Sequence, residues 1–236
     1  MKKILFLALF GFALGASAQK TIRDANASAR QAKNFHAIEI SDGIDLYLTQ
    51  GNEEAVAVSA SSNEYRDKIR TQVVDGVLKI YYEREGSWKL NWGNRKLKAY
   101  VSVKNIDKLH ASGGADVYVE SELSASQLSM HFSGGSDFRG KVHVKNLSLE
   151  ASGGSDAYIS GTADDLKIEA SGGSDVHGFE LISNNCTIET SGGSDIRITA
   201  NKQINANASG GSDVYYKGSA TSNTHKSGGG SVKKLS

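Results

Sequence analysis

Six aspartates that follow glycine pairs are the residues of this sequence with the clearest chemical potential. They are Asp116, Asp137, Asp156, Asp175, Asp195 and Asp213. Each ends a segment of the form SGG(S/A)D, and successive segments begin 21, 19, 19, 20 and 18 residues apart. If each repeat is one coil of a stack, neighbouring carboxylates repel by roughly 0.9 kcal/mol per pair even in bulk water. Hydrogen bonds or cations must therefore offset that repulsion.

Two kinds of chemistry could stabilise this row of carboxylates. In the first, each aspartate is a structural corner residue that accepts hydrogen bonds from turn amides and from the preceding serine. In the second, calcium ions bind between the carboxylates and turn carbonyls, as in nonapeptide β-rolls. Those rolls need GGxGxD at a nine-residue period, which this sequence lacks. We therefore expect a structural role, no metal site and no cofactor, with calcium as the minority hypothesis.

A second set of side chains stands two residues after each aspartate and is aromatic or basic. It consists of Tyr118, Arg139, Tyr158, His177, Arg197 and Tyr215. Such a column could hold sugar rings or acidic glycans through aromatic stacking and arginine hydrogen bonds. The alternative, which we favour, is cross-strand pairing that stabilises a solvent-exposed face. Trp88 and Trp92 share one phase of an extended segment, and they form either a carbohydrate-stacking pair or a hydrophobic lid over the end of the fold.

Catalytic chemistry finds little support in the sequence. Enzymes built on β-helices need carboxylate pairs or Lys/Arg/Asp clusters carried by long loops, and repeats of 18 to 21 residues leave little length for such loops. The corner serines lack a placed histidine base. His110, His131 and His225 share one phase but give only weak evidence for a metal, and Cys186 falls on the inward phase as an inert thiol. We predict no enzyme and no catalytic residue.

The residues that flank each corner alternate between apolar and polar, which is typical of β-strands. Leu147, Leu149 and Ala151 are apolar or small before one corner, as are Ala157 and Ile159 after it. Each repeat is predicted to be a strand, a glycine corner, a second strand and a polar return. The glycines allow positive φ at the corner, and the absence of proline leaves every backbone donor available to a neighbouring coil. We predict an all-β, single-domain parallel β-helix with about 18–21 residues per coil, ahead of a β-propeller or an up-and-down barrel.

The chain begins with the features of a secretory signal. Two lysines, an apolar run over residues 4–14 and the small residues 16–18 predict a signal peptide at 1–18. A lead segment follows at 19–34, and one domain covers 35–236, with irregular coils at 35–104 that cap the stack and regular repeats at 105–231. No later apolar run is long enough to span a bilayer. The mature chain is thus expected to be exported, either to the periplasm or to the cell surface.

Charge and cysteine content exclude two further classes of protein. The 27 Lys and Arg residues nearly balance 26 Asp and Glu residues, so the basic excess of a nucleic-acid-binding protein is absent. A single cysteine cannot form an intramolecular disulfide framework. Neither the oligomeric state nor the handedness of the helix follows from these patterns.

Several segments together resemble a known family. The sequences FHAIEISDGIDLYLTQG at 35–51 and DGVLKI at 75–80, followed by serial SGGSD corners, resemble the putative auto-transporter adhesin, head GIN domain family of Bacteroidetes and related bacteria. The resemblance covers about 35–231 and implies an exported, β-helix-like domain without catalytic residues to carry over. The expected function is a non-enzymatic, adhesin-like binding module of the cell envelope that contacts glycans or other surface components. The alternatives are a purely structural envelope scaffold and, with less support, a polysaccharide-degrading enzyme.

Overall fold

The computed structural model describes residues 24–84 and 95–236 and shows an all-β chain with one short helix. The N-terminal strands are β1 (Ser28–Arg30), β2 (Ala37–Ile40), β3 (Asp45–Gln50), β4 (Ala55–Ser59), β5 (Ile69–Val74), β6 (Val77–Tyr82), β7 (Lys98–Val103) and β8 (Lys108–Ala111). The helix α1 (Asn63–Asp67) is capped by the side chain of Ser62, which accepts from the amide of Tyr65. The remaining strands are β9 (Val117–Phe132), β10 (Phe138–Ala151), β11 (Ala157–Ala170), β12 (Val176–Thr190), β13 (Asp195–Ala208), β14 (Asp213–Lys217), β15 (Thr221–Lys226) and β16 (Ser231–Lys234).

The regular repeats stack as the predicted parallel solenoid, which has about seven turns. Strands β9 to β13 pair in parallel along nearly their whole length, with each residue opposite its counterpart in the next repeat. Leu147, for example, lies between Leu128 and Leu166. This pairing confirms the predicted parallel β-helix. The residues predicted to face inward, such as Leu147, Leu149 and Ile159, are buried.

Each coil has three flat segments instead of two strands and an irregular return. In β12 the inward side chains alternate regularly, but the alternation breaks at Phe179–Glu180 and again at Asn184–Asn185. The pairing register with β13 shifts at the same places, between Gly178 and Ile182 and between Ser183 and Asn185. We call the segment after each corner the first face, the middle segment the second face and the segment before the next corner the third face. The predicted polar return is thus itself hydrogen-bonded as the second face.

The N-terminal region caps the solenoid with antiparallel pairs. Strand β4 runs antiparallel to both β1 and β7, and β5 forms an antiparallel hairpin with β6 through a turn at Asp75–Gly76. Both turn residues have positive φ, as a tight hairpin requires. Strand β1 falls within the predicted lead segment, which therefore joins the sheet. The segment Ser41–Asp45 occupies the position of a corner, because Leu46 pairs with Val117.

One hydrophobic core runs through the stack. Its side chains come from the inward positions of all three faces, and its largest members include Phe132 and Phe138, whose ring centroids lie 5.3 Å apart. Cys186 is also part of this core, and burial raises the pKa of its thiol to about 12. The thiol is therefore neutral at physiological pH, in agreement with an inert packing role.

The glycine corners take two conformations along the stack. In the corners that begin at Ser112, Ser133 and Ser152, both glycines have positive φ, between 63 and 83°. In the corners that begin at Ser171, Ser191 and Ser209, only the first glycine does. In the last two of these corners the amide of the second glycine turns toward the preceding coil: Gly193 donates to the carbonyl of Gly172 at 2.8 Å, and Gly211 to that of Gly192 at 2.7 Å. The sequence motif is constant, but the second glycine meets a conformational requirement in only half of these corners.

Candidate functional site

The aromatic and basic side chains of the first face form one continuous column. Strand pairing places each member opposite the next, and the column is longer than the six residues predicted. In spatial order it contains Tyr100, Tyr47, Tyr118, Arg139, Tyr158, His177, Arg197, Tyr215 and Lys233. We call these nine residues the tyrosine–basic column.

Within the column the rings stack on one another along the solenoid axis. Tyr47 lies between Tyr100 and Tyr118, with centroid distances of 5.3 and 5.4 Å. Tyr158 lies between the guanidinium of Arg139 at 4.6 Å and the ring of His177 at 4.4 Å. The ring faces are therefore covered by neighbouring coils. Such a surface can form hydrogen bonds, but it offers few open ring faces for stacking on a ligand.

A row of carboxylates runs beside this column on the same face. It begins one coil earlier than predicted and consists of Asp45, Asp116, Asp137, Asp156, Asp175, Asp195 and Asp213, which we call the aspartate column. One carboxylate oxygen of each aspartate from Asp116 to Asp175 accepts from the backbone N–H of the next aspartate, at 3.0 to 3.2 Å. The donor lies in the following coil and not in the same turn. A hydrogen bond to a charged group contributes about 1.5–3 kcal/mol, which is enough to offset the repulsion between neighbours.

Several outer oxygens of the aspartate column are bonded within the first face. The hydroxyls of Tyr118 and Tyr215 donate to the aspartates two residues earlier, at 3.3 and 2.9 Å. Arg197 forms an ion pair with Asp195 at 3.1 Å. Bonds from Ser231 and Tyr215 lower the pKa of Asp213. The two columns therefore act as one polar surface, in which phenols and guanidinium groups neutralise or bond part of the carboxylate row.

Asp45 has a different environment at the N-terminal end of the aspartate column. Burial raises the pKa of its carboxyl group, and the nearby carboxylate of Asp116 raises it further. Because folding raises this pKa, the group stabilises the protein below the ordinary pKa of an aspartate, and that stability is lost as the pH rises through the raised value.

We therefore expect Asp45→Asn to have a higher melting temperature than the wild type at pH 7, because the amide keeps a hydrogen-bond acceptor without the charge. The gain should shrink as the pH falls through the range in which the carboxyl group takes up its proton. Thermal unfolding followed by circular dichroism at neutral and acidic pH measures this difference. Asp213→Asn, where folding lowers the pKa, provides the control and should show the opposite trend.

A second side-chain ladder lies inside the corners. Ser136, Ser155, Ser174 and Ser194 are fully buried. Each accepts, through its Oγ, the backbone N–H of the equivalent residue in the preceding coil at 3.0 to 3.3 Å. Serine therefore bonds backward and aspartate bonds forward along the stack. The sequence showed that both positions recur, but their partners could not be read from it.

The histidines that recur at one position of the repeat, His110, His131 and His225, lie on the third face. His110 and His131 lie 4.7 Å apart by ring centroid, and His131 Nδ1 lies 2.8 Å from a carboxylate oxygen of Glu150. Burial, with a contribution from His131, lowers the pKa of His110.

In residues 24–84 and 95–236, no three His, Cys, Asp or Glu side chains are arranged to hold a metal ion. The described helix is not long and apolar enough to cross a membrane.

Four members of the two columns were not predicted from the sequence. Asp45 and Tyr47 stand in the irregular segment Ser41–Gln50, Tyr100 lies in β7, and Lys233 follows the degenerate last corner. The spacing of Asp45 and Tyr47 matches that of Asp116 and Tyr118, so alignment of that early corner with the repeats would have found them. Trp88 and Trp92 lie outside the described residues, and their role stays a prediction.

The sequence and the fold both place the chain among known proteins. Residues 34–220 match the family described as putative auto-transporter adhesin, head GIN domain. The chain belongs to this family. No curated protein matches this head GIN domain.

Solved structures share the fold of this head GIN domain. A putative adhesin of Bacteroides fragilis aligns with a TM-score of 0.82 and 20% identity, covering 89% of this chain and 96% of that one. A putative lipid binding protein of Parabacteroides distasonis aligns with a TM-score of 0.69 and 18% identity, covering 89% and 97%. A putative adhesin of Parabacteroides merdae aligns with a TM-score of 0.69 and 17% identity, covering 89% and 95%. At these identities the likeness concerns the fold alone.

Proposed function

We propose that this head GIN domain is an exported, non-enzymatic, adhesin-like module that binds a glycan of the cell surface or envelope on its first face. The observation that carries the proposal is the continuous tyrosine–basic column beside the aspartate column. Together they present phenol, guanidinium, imidazole and carboxylate groups at the coil spacing of about 4.8 Å. An extended polysaccharide is a repeating ligand with hydroxyl donors and acceptors, and it suits such a periodic surface.

The polar character of the surface supports a glycan over a lipid ligand. Among the described residues the large hydrophobic side chains that are exposed are Val74, Tyr158 and Ile182. Val74 lies on the β5–β6 hairpin, Tyr158 on the first face and Ile182 on the second face of the solenoid, so they do not make one apolar patch of the kind that lipid contact needs. The neighbour from Parabacteroides distasonis carries a lipid-binding name, but the first face of this chain offers hydrogen bonds instead.

A glycan array on the mature protein tests this proposal, with a double variant of the first face as the decisive comparison. We expect Tyr158→Ala with Arg139→Ala to lose at least about tenfold in affinity for the bound glycan, because two polar contacts of the column would disappear. Lys141→Ala with His143→Ala changes the second face and is the matched control, which should bind as the wild type does. Equal binding by both double variants would contradict a first-face site.

A structural scaffold of the envelope is the second candidate function. The specific observation in its favour is that the rings of the column cover one another, as cross-strand stacking for stability requires. On this alternative the array shows no binding, whereas Tyr158→Ala still lowers the melting temperature.

A further inference from the structure

We propose that the glycan site lies on three central coils of the first face and takes an uncharged, polyhydroxylated chain in preference to an acidic one. This inference rests on the proposed function and adds the position and the ligand class. The central surface consists of Asp137, Arg139, Asp156, Tyr158, Asp175 and His177. We call these six residues the central rungs.

The central rungs differ from the rest of the first face in their unused hydrogen-bonding groups. Asp137, Asp156 and Asp175 each use one carboxylate oxygen for the inter-coil bond, and within the described part of the chain the other oxygen has no protein partner. By contrast, the outer oxygens of Asp116, Asp195 and Asp213 are bonded by a tyrosine or an arginine. Three adjacent coils therefore present free acceptors to solvent.

Donors stand beside these acceptors at the same three coils. Arg139 contacts the ring of Tyr158, but its N–H groups have no hydrogen-bond partner among residues 24–84 and 95–236. Tyr158 is 39% exposed, one of the few large hydrophobic side chains in the described chain to be so. Its hydroxyl and the ring nitrogens of His177 are likewise without a hydrogen-bond partner in the described residues. Each central coil thus offers an acceptor and, two residues along, a donor or an amphoteric group.

The charge of the face selects against an acidic ligand. Along the two columns, seven carboxylates stand against four Lys and Arg side chains: Arg139, Arg197 and Lys233 of the tyrosine–basic column, and Lys98, which lies opposite Asp45. The difference is 4 − 7 = −3. One of these cations is already paired with an aspartate, Arg197 with Asp195. At the central rungs alone, three carboxylates face one guanidinium, so uronic acid or sulfate groups would meet a surface of their own sign.

A neutral sugar chain fits the same groups without this penalty. Sugar hydroxyls donate to free carboxylate oxygens and accept from guanidinium, phenol and imidazole groups, so each central coil can form complementary hydrogen bonds. Because the donor and acceptor groups recur at each coil, a chain laid along the solenoid axis meets equivalent partners at successive sugar units.

The test measures binding of the mature protein to two groups of polysaccharides. The neutral probes are dextran, yeast mannan, xyloglucan and arabinogalactan, and the acidic probes are alginate, polygalacturonate, hyaluronate and chondroitin sulfate. We expect binding to at least one neutral polysaccharide, with an affinity that added salt does not weaken. Binding to acidic probes alone would overturn this inference but leave the proposed function intact. No binding to any probe, on this panel and on the glycan array, would count against both.

Two matched pairs of variants locate the site. Asp156→Asn keeps an oxygen to accept the N–H of Asp175, and Tyr158→Phe keeps the stacked ring, so both should fold. Each is expected to lose about fivefold or more in affinity for the neutral probe. Asp213→Asn and Tyr215→Phe change groups that are already bonded to each other and should bind within about twofold of the wild type. A loss confined to the second pair would contradict the central position.

Discussion

Gly192→Ala is expected to lower the free energy of unfolding by about 3 kcal/mol. Gly192 has a φ of +76°, where a side chain costs about 1–2 kcal/mol. A Cβ atom there would lie 2.5 Å from the carbonyl oxygen of Gly172 in the preceding coil. That oxygen accepts the N–H of Gly193 at 2.8 Å and is fixed in the backbone, so the two coils must separate locally, which costs about 1–3 kcal/mol more. The melting temperature should fall by roughly 6 to 12 °C.

The adjacent residue supplies the matched control for this prediction. Gly193 does not have a positive φ, and its added Cβ would meet only the oxygen of Gly172 at 3.8 Å, an ordinary contact. Gly193→Ala should therefore be neutral or stabilise by about 0.4–1 kcal/mol, because alanine restricts the unfolded chain. If the two substitutions destabilised the protein equally, the prediction that only Gly192 requires glycine in this corner would be wrong.

Ser174→Ala is expected to destabilise the protein by about 2–3 kcal/mol, the second largest effect. Its Oγ atom accepts from the amides of Ser155 at 3.1 Å and Gly154 at 3.2 Å. Ser174 is fully buried, so water cannot replace the lost acceptor without opening the corner. A buried donor left without a partner costs about 1–3 kcal/mol. Urea or thermal unfolding of the purified variant measures the loss.

The exposed serine of the same corner is the control. Ser171 carries the same hydroxyl group but lies at the surface, and Ser171→Ala should change stability by no more than about 0.5 kcal/mol. Hydrogen exchange gives a second readout, because the amide of Ser155 should lose protection in Ser174→Ala while distant coils keep theirs. A Ser174→Ala protein as stable as Ser171→Ala would show that the serine ladder contributes nothing.

Local patterns predicted the repeats well because each repeat contacts only its neighbours. The alternation around SGGSD assigned inward residues such as Leu147 and Ile159, and both are buried. The nearly constant interval between corners is enough to place the repeat residues of the two columns in register. In a solenoid, the spacing of one motif determines most three-dimensional neighbours.

The N-terminal cap could not be predicted in the same way. Strand β3 lies between β7 and β9, although β7 is nearer to β9 in sequence. Likewise β2 lies between β6 and β8. Strands β6 and β7 thus lie outside the coil that contains β2 and β3, and antiparallel strands complete the end. Alternation identifies these strands but does not say which ones pair, because that choice depends on how chain segments far apart in sequence pack together.

In the candidate site too, the repeat pattern predicts where a residue lies but not which group it bonds. Tyr158 and Asp156 could be assigned to outward columns from their spacing, but which carboxylate oxygens remain unbonded depends on small differences between coils. Tyr118 and Tyr215 donate to an aspartate, whereas Tyr158 does not. The same residue type at the same repeat position thus bonds differently from coil to coil, which the repeat motif does not encode.

The serine and aspartate ladders bond in opposite directions along the stack, and this affects how the protein responds to a pulling force. Each junction between central coils is held by side-chain bonds directed from both sides, in addition to the backbone ladder, so the stack resists gradual stretching. Under a pulling force between its ends, coils would detach one at a time from a terminus. Each detached coil of about 19 residues would release roughly 60 Å of extended chain. The stack would therefore yield in discrete steps and not by continuous extension.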